Sequence, residues 1–196
     1  NAIKGDADSQ LELAKYYEKK DYKALMLHWY EKAAENGNIN AQELLANKYF
    51  NKGDADKAFS LAQKLTKNGS EVGKSIMAYY YCWGAYEVPI NKSLAWKLAN
   101  ESSNNSLSKA VLANFYSTGF WGIKKDLNEA IKLAEESFDN GCLEGGCIYN
   151  RIVELSGRKN NSRYNQIEKE LEQGDYIDGI INTSFVTALR DKNFNR

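Results

Sequence analysis

The stretch AQELLANKYFNKGDADKAFSLAQKLTKNG, residues 41–69, carries two apolar stripes at helical spacing. Ala41, Leu45, Ala46 and Tyr49 form the first stripe. A turn falls at Gly53, and Ala58, Leu61, Ala62 and Leu65 form the second stripe before Gly69 closes the unit. Apolar residues three and four apart share one face of a helix. Two helices this short cannot bury their apolar faces alone, so the unit predicts copies of itself stacked on either side.

The copies are present. Ser9 stands 32 residues before Ala41, and Leu13, Ala14 and Tyr17 repeat Leu45, Ala46 and Tyr49. The following helix, ending YEKAAENG, brings Trp29, Ala33, Ala34 and Gly37 into step. A third copy, counted from Gly73, repeats the pattern in Met77, Ala78, Tyr81 and Gly84. Its longer turn holds the lone Pro89, its second helix places Trp96 where the first copy has Trp29, and Asn104 takes the closing glycine's position. Asn tolerates the left-handed conformation that such a helix end requires. A fourth copy carries Leu112, Ala113, Tyr116, Gly119, Ala130, Leu133 and Gly141. A fifth is blurred: Tyr149 and Val153 are roughly in register, LEGG (143–146) reads as a turn, and the partner helix runs from a Ser162 cap to Gly174. The expected organisation is a solenoid over residues 5–175 and a capping helix with a frayed tail over 176–196, its apolar side marked by Ile177, Ile180, Ile181, Phe185 and Leu189. A solenoid end needs such a cover over its last repeat.

Composition narrows the function classes. Lys+Arg and Asp+Glu both total 26 in 196 residues, so no net field draws the chain to nucleic acid or anionic lipid. A single proline and 27% charged residues suit short amphipathic helices, and no apolar run is long enough to span a bilayer. Cys82, Cys142 and Cys147 are read as buried free thiols, with a Cys142–Cys147 bridge as the alternative. His28 beside Trp29 is the only histidine, and no nearby residue marks it as part of a nucleophilic or zinc site. The GSEVGKS segment (69–75) has three residues between its glycines where a phosphate loop needs four, and it lies between helices rather than after a strand. Asp54, Asp56 and Asp126 read as helix-cap and dipole residues. Lys19–Lys20 and Lys124–Lys125 are too short for a nucleic-acid patch. No cofactor is expected.

The motifs resemble the Sel1-like repeat family, relatives of the tetratricopeptide repeats. YEKAAENG (30–37), LANFYSTG (112–119) and DLNEA (126–130) match its helix ends closely, with alanine where the family prefers glycine after leucine. The resemblance implies an all-α, right-handed α-solenoid of helix-turn-helix repeats, in which small residues such as Ala46, Ala78 and Ala113 let paired helices approach. Tyr17, Tyr49, Tyr81 and Tyr116 would pack between repeats. It also implies a non-catalytic scaffold that binds another protein, monomeric on its own, of bacterial origin and often exported. If tetratricopeptide geometry carries over, the concave groove presents Lys15, Asn47, Tyr79, Asn114 and Arg151 in equivalent places. Glu18, Phe50, Asn51, Trp83, Ser117 and Thr118 would lie a turn further on. Amides and aromatics suit a protein-binding surface. The start at Asn1 and the family's export suggest a periplasmic or envelope protein, for instance an immunity protein against a secreted toxin such as a lipase. A cytoplasmic signalling or host-interaction adaptor is the alternative. An enzyme would have to rely on His28, and a self-assembling scaffold on an apolar face of Phe120, Trp121 and Trp83.

Overall fold

The computed structural model describes residues 2–84, 88–120, 122–157 and 161–178. Ten α-helices follow one another in these residues: α1 (Ala7–Lys19), α2 (Lys23–Glu35), α3 (Ile39–Asn51), α4 (Ala55–Lys67), α5 (Glu71–Trp83), α6 (Lys92–Glu101), α7 (Ser106–Thr118), α8 (Leu127–Asp139), α9 (Leu143–Leu155) and α10 (Ser162–Asp178). Each packs on the next, giving five stacked hairpins. The expected capping helix and tail at 176–196 lie almost wholly outside the described residues.

The corners explain why eight of the ten helices are thirteen residues long. At Gly37, Gly69 and Gly141 φ is +89°, +83° and +82°, and each glycine is flanked by the same pair of backbone bonds. Gly37 N–H donates to Ala34 O and Asn38 N–H to Ala33 O, and the bonds at Gly69 and Gly141 repeat them. This arrangement satisfies the last carbonyls of one helix. The next residue then caps the following helix in two corners: Asn38 accepts from Ala41 N–H and Ser70 from Gly73 N–H. Asp54, Asn91 and Asp126 do the same within hairpins, where Asp126 accepts from both Asn128 and Glu129. Asp21 occupies the position of Gly53 and is left-handed too, at φ 57°.

The core runs along the stack. The eighth residue of four successive first helices, Ala14, Ala46, Ala78 and Ala113, has no exposed surface, which lets the hairpin partners approach. Three of the four tyrosines pack between helices as expected, whereas Tyr17, in the first repeat, sets its ring edge-on to Tyr16 and Tyr22. Tyr49 donates to Glu31 on α2, Tyr81 packs its ring on Phe59 of α4, and Tyr116 packs on Trp96 of α6.

Several local expectations need correction. Asn104 is not left-handed: α6 ends early, and buried Ser102 closes it by donating to Leu98 O and pairing with Ser108 Oγ at 2.7 Å. Trp96 is the fifth residue of its helix, the place of Leu27, Phe59 and Ile131, whereas Trp29 is the seventh residue of α2. LEGG is the first turn of α9 rather than a loop. A Cβ on Gly145 would meet Ala134 O at 2.8 Å, and one on Gly146 would meet the Phe138 ring at 2.6 Å, so both glycines serve the close approach of α8. Gly73 in GSEVGKS plays the same part against α4. Asn161, not Ser162, caps α10, and the helix runs past Gly174 to Asp178.

Candidate functional site

The first helices crowd one another on the inner side of the stack, with α3 touching α5, α5 touching α7 and α7 touching α9. The second helices make no comparable contacts among the described residues, so the first helices line the concave face. The ninth residue of each is Lys15, Asn47, Tyr79, Asn114 or Arg151, the row expected from the sequence.

That row is not uniform. In the first two repeats the side chains stand open: Lys15, Asn47 and Asn51 are exposed. Lys15 pairs with Glu12 in its own helix at 2.8 Å. Glu18 takes Lys48 at 3.0 Å and also accepts from Tyr30 Oη, tying the first two repeats together. From the third repeat onward the row closes. Tyr79 is only 2% exposed, and Phe50, at 7%, turns its ring edge-on to it at 4.8 Å. These two belong to the core, so in the free protein they offer a partner almost no surface, contrary to the expectation of an aromatic anchor at each. Trp83 is half-buried against Tyr79 at 4.8 Å. Ser117 and Thr118 bend back to their own helix, both donating to Asn114 O.

A polar chain crosses the three closed repeats. Arg151 Nη2 donates to Asn114 Oδ1 at 2.5 Å, and Asn114 Nδ2 donates to Cys82 Sγ at 3.6 Å. Burial pushes the Cys82 thiol up to about 12 and lowers the pKa of the Arg151 guanidinium. Arg151 Nε is buried with no partner, and so is Oδ1 of Asn150, which stands where the other repeats have alanine. Two turns before Arg151, Glu144 accepts from the Cys142 thiol at 3.3 Å. Glu144 as a residue is half-buried, protein crowds its carboxyl closely, and that burial raises the carboxyl pKa. Burial, and then the Glu144 charge, raise the Tyr79 phenol well above its ordinary value.

Cys82 and Glu144 escaped the sequence reading. Cys82 shares the register of Phe50 and Ser117, so its place was readable, but a lone cysteine gives no sign of serving as an acceptor. The three cysteines are buried and in no disulfide, and no group of three potential metal ligands occurs among the described residues. His28 is exposed and packs edge-on against Trp29 at 5.3 Å. Phe120 is half-buried beneath Lys92 Nζ at 4.4 Å, and Trp121 lies outside the described residues. No helix is long and apolar enough to cross a membrane among the described residues.

The Sel1 repeat model matches residues 27–38, 75–107 and 106–142. No curated protein matches the sequence significantly. Among solved structures, the chain is similar to c5321, a protective antigen of uropathogenic Escherichia coli with an SLR fold. The TM-score is 0.58 at 22% identity, over 97% of this chain and 42% of that one. The chain thus spans less than half the antigen's length, and at this identity the likeness shows the fold alone. A putative Sel1 repeat protein of Klebsiella pneumoniae aligns with a TM-score of 0.38 at 18% identity, over 77% of this chain and 95% of that one. Sel1 repeats are in general protein-interaction scaffolds. The chain thus carries sequence that matches the Sel1 repeat over residues 27–38 and 75–142, set within five stacked hairpins whose solenoid architecture is similar to that of a solved SLR-fold protein.

Proposed function

We propose that the protein is a non-catalytic module that binds one protein partner along the inner face of its first helices. The observation that carries this reading is the open end of the row. Asn47 and Asn51 are exposed there, and their side-chain amides make no hydrogen bond among the described residues. Their amides therefore remain available to a partner's backbone, while the neighbouring repeats hold their shape through buried groups. The finer proposal is an envelope protein of a bacterium that neutralises a secreted toxin, with a signalling or host-interaction adaptor as the second reading.

Photocrosslinking tests the surface. A benzoylphenylalanine at position 47 is compared in the source cells with one at the exposed Gln63 of α4. A single crosslinked species from position 47, absent from position 63, is the expected result. Crosslinks from position 63 alone would move the interface to the convex side and overturn the proposal.

A further inference from the structure

Arg151 brings a positive charge into the closed half of the inner face without a counter-ion. No carboxylate lies within ion-pair distance of it among the described residues. Holding an enclosed charge with no partner destabilises a fold, so a residue kept this way invites a search for its absent partner. The guanidinium is also held in place. Nη2 is fixed on Asn114 Oδ1, Asn114 is fixed in turn by Cys82, and Nε is enclosed. Nη1 has no hydrogen-bond partner among the described residues and is not among their enclosed atoms, so it reaches solvent.

We infer that this open edge of Arg151, oriented by Asn114 and Cys82, receives the carboxylate of an acidic side chain from a protein segment lying along the inner face. The inference rests on the reading of that face as the binding surface. The chemistry favours a carboxylate because the planar guanidinium fork matches its two oxygens. A phosphate would call for further cations, and nearby Lys92 is engaged over the Phe120 ring at 4.4 Å. A side chain fits better than a chain terminus because Arg151 offers only a partly exposed edge. A terminus entering it would bring peptide groups that the surrounding core could not pair.

The test pans the purified full chain against random heptapeptides displayed on phage through their C-termini, so that side chains supply the only peptide carboxylates. Enrichment of Asp or Glu is expected. The best sequence, made as an acetylated and amidated peptide, should lose about tenfold or more in affinity when its acid is changed to the amide. Arg151→Gln should cause a similar loss. Arg151→Lys should recover only part of it, because an ammonium lacks the fork. Circular dichroism checks that each variant folds, and the acid-to-amide change tests the idea without altering the protein. Enriched peptides that lack an acid, or that bind Arg151→Gln as tightly as the parent, overturn the inference. In that case Asn47→Arg separates the two claims: weakened binding leaves the inner face standing as the interface, and unchanged binding removes both. A library with free C-termini that enriches where the anchored one does not would overturn the choice of a side chain.

Discussion

Gly73→Ala adds one methyl group where α5 lies against α4. A Cβ there would sit 2.7 Å from Leu65 Cβ, 2.7 Å from Thr66 N and 2.8 Å from Ala62 O. Two of those atoms are backbone, so no side-chain rotation relieves the contact, and the helices must separate by several tenths of an ångström. Overpacking of this kind costs about 1–3 kcal/mol, and rigid backbone neighbours place it at the upper end. The substitution also improves helix propensity by about 1 kcal/mol. The net expectation is a loss of about 2 kcal/mol. With a urea slope of about 2 kcal/mol/M, the midpoint should fall by about 1 M, read by circular dichroism at 222 nm. Solenoids unfold by nearest-neighbour interfaces, so the transition should also broaden as the first two hairpins uncouple from the rest. A midpoint equal to or above that of the parent would refute the reasoning, because it would mean that α4 and α5 have slack and that the glycine answers to something other than packing.

Three further outcomes follow from the same geometry. The folded-state pKa of Glu144 is raised by burial above its ordinary 4.5, so its contribution is fully present below that value and is lost as pH rises through the folded pKa. Glu144→Gln should therefore stabilise the protein near pH 7, match the parent near pH 4 and flatten the pH dependence of urea melts between the two. Cys82 is pushed up to about 12 and Cys142 is also raised, both by burial, so iodoacetamide at pH 8 should leave the native thiols unmodified and add three adducts in guanidinium, as read by intact mass. Early adducts would place a thiol at the surface. Asp126→Ala removes the acceptor for two N–H groups at the start of α8 and should cost about 1 kcal/mol in a urea melt, with the fold retained.

Much of this architecture was legible in the chain because helical periodicity and corner chemistry are local. Leu45, Ala46 and Tyr49 declare a face, Gly53 and Gly69 declare its ends, and repetition every 32 residues from Ser9 to Ala41 declares a stack. The corner at Asn104 misled because the asparagine substitution is permitted there but not required. Helix α6 found another ending in the buried Ser102–Ser108 pair, which depends on α7 being in place. LEGG misled for a related reason: two adjacent glycines serve a turn or a tight helix contact equally well, and only the position of Phe138 and Ala134 on α8 distinguishes them.

The candidate site divides along the same line. The sequence by itself determined that Lys15, Asn47, Tyr79, Asn114 and Arg151 occupy one equivalent place, because that is a matter of register. Only the tertiary structure decided which of them remain open. How closely successive first helices approach is set by the combined bulk of side chains from neighbouring helices. Asn47 is thus left in solvent, Tyr79 is sealed beneath Phe50, and Asn114 is brought within reach of Arg151. A bond between residues thirty-seven positions apart has no local signature, since it exists only once the fourth and fifth hairpins have stacked.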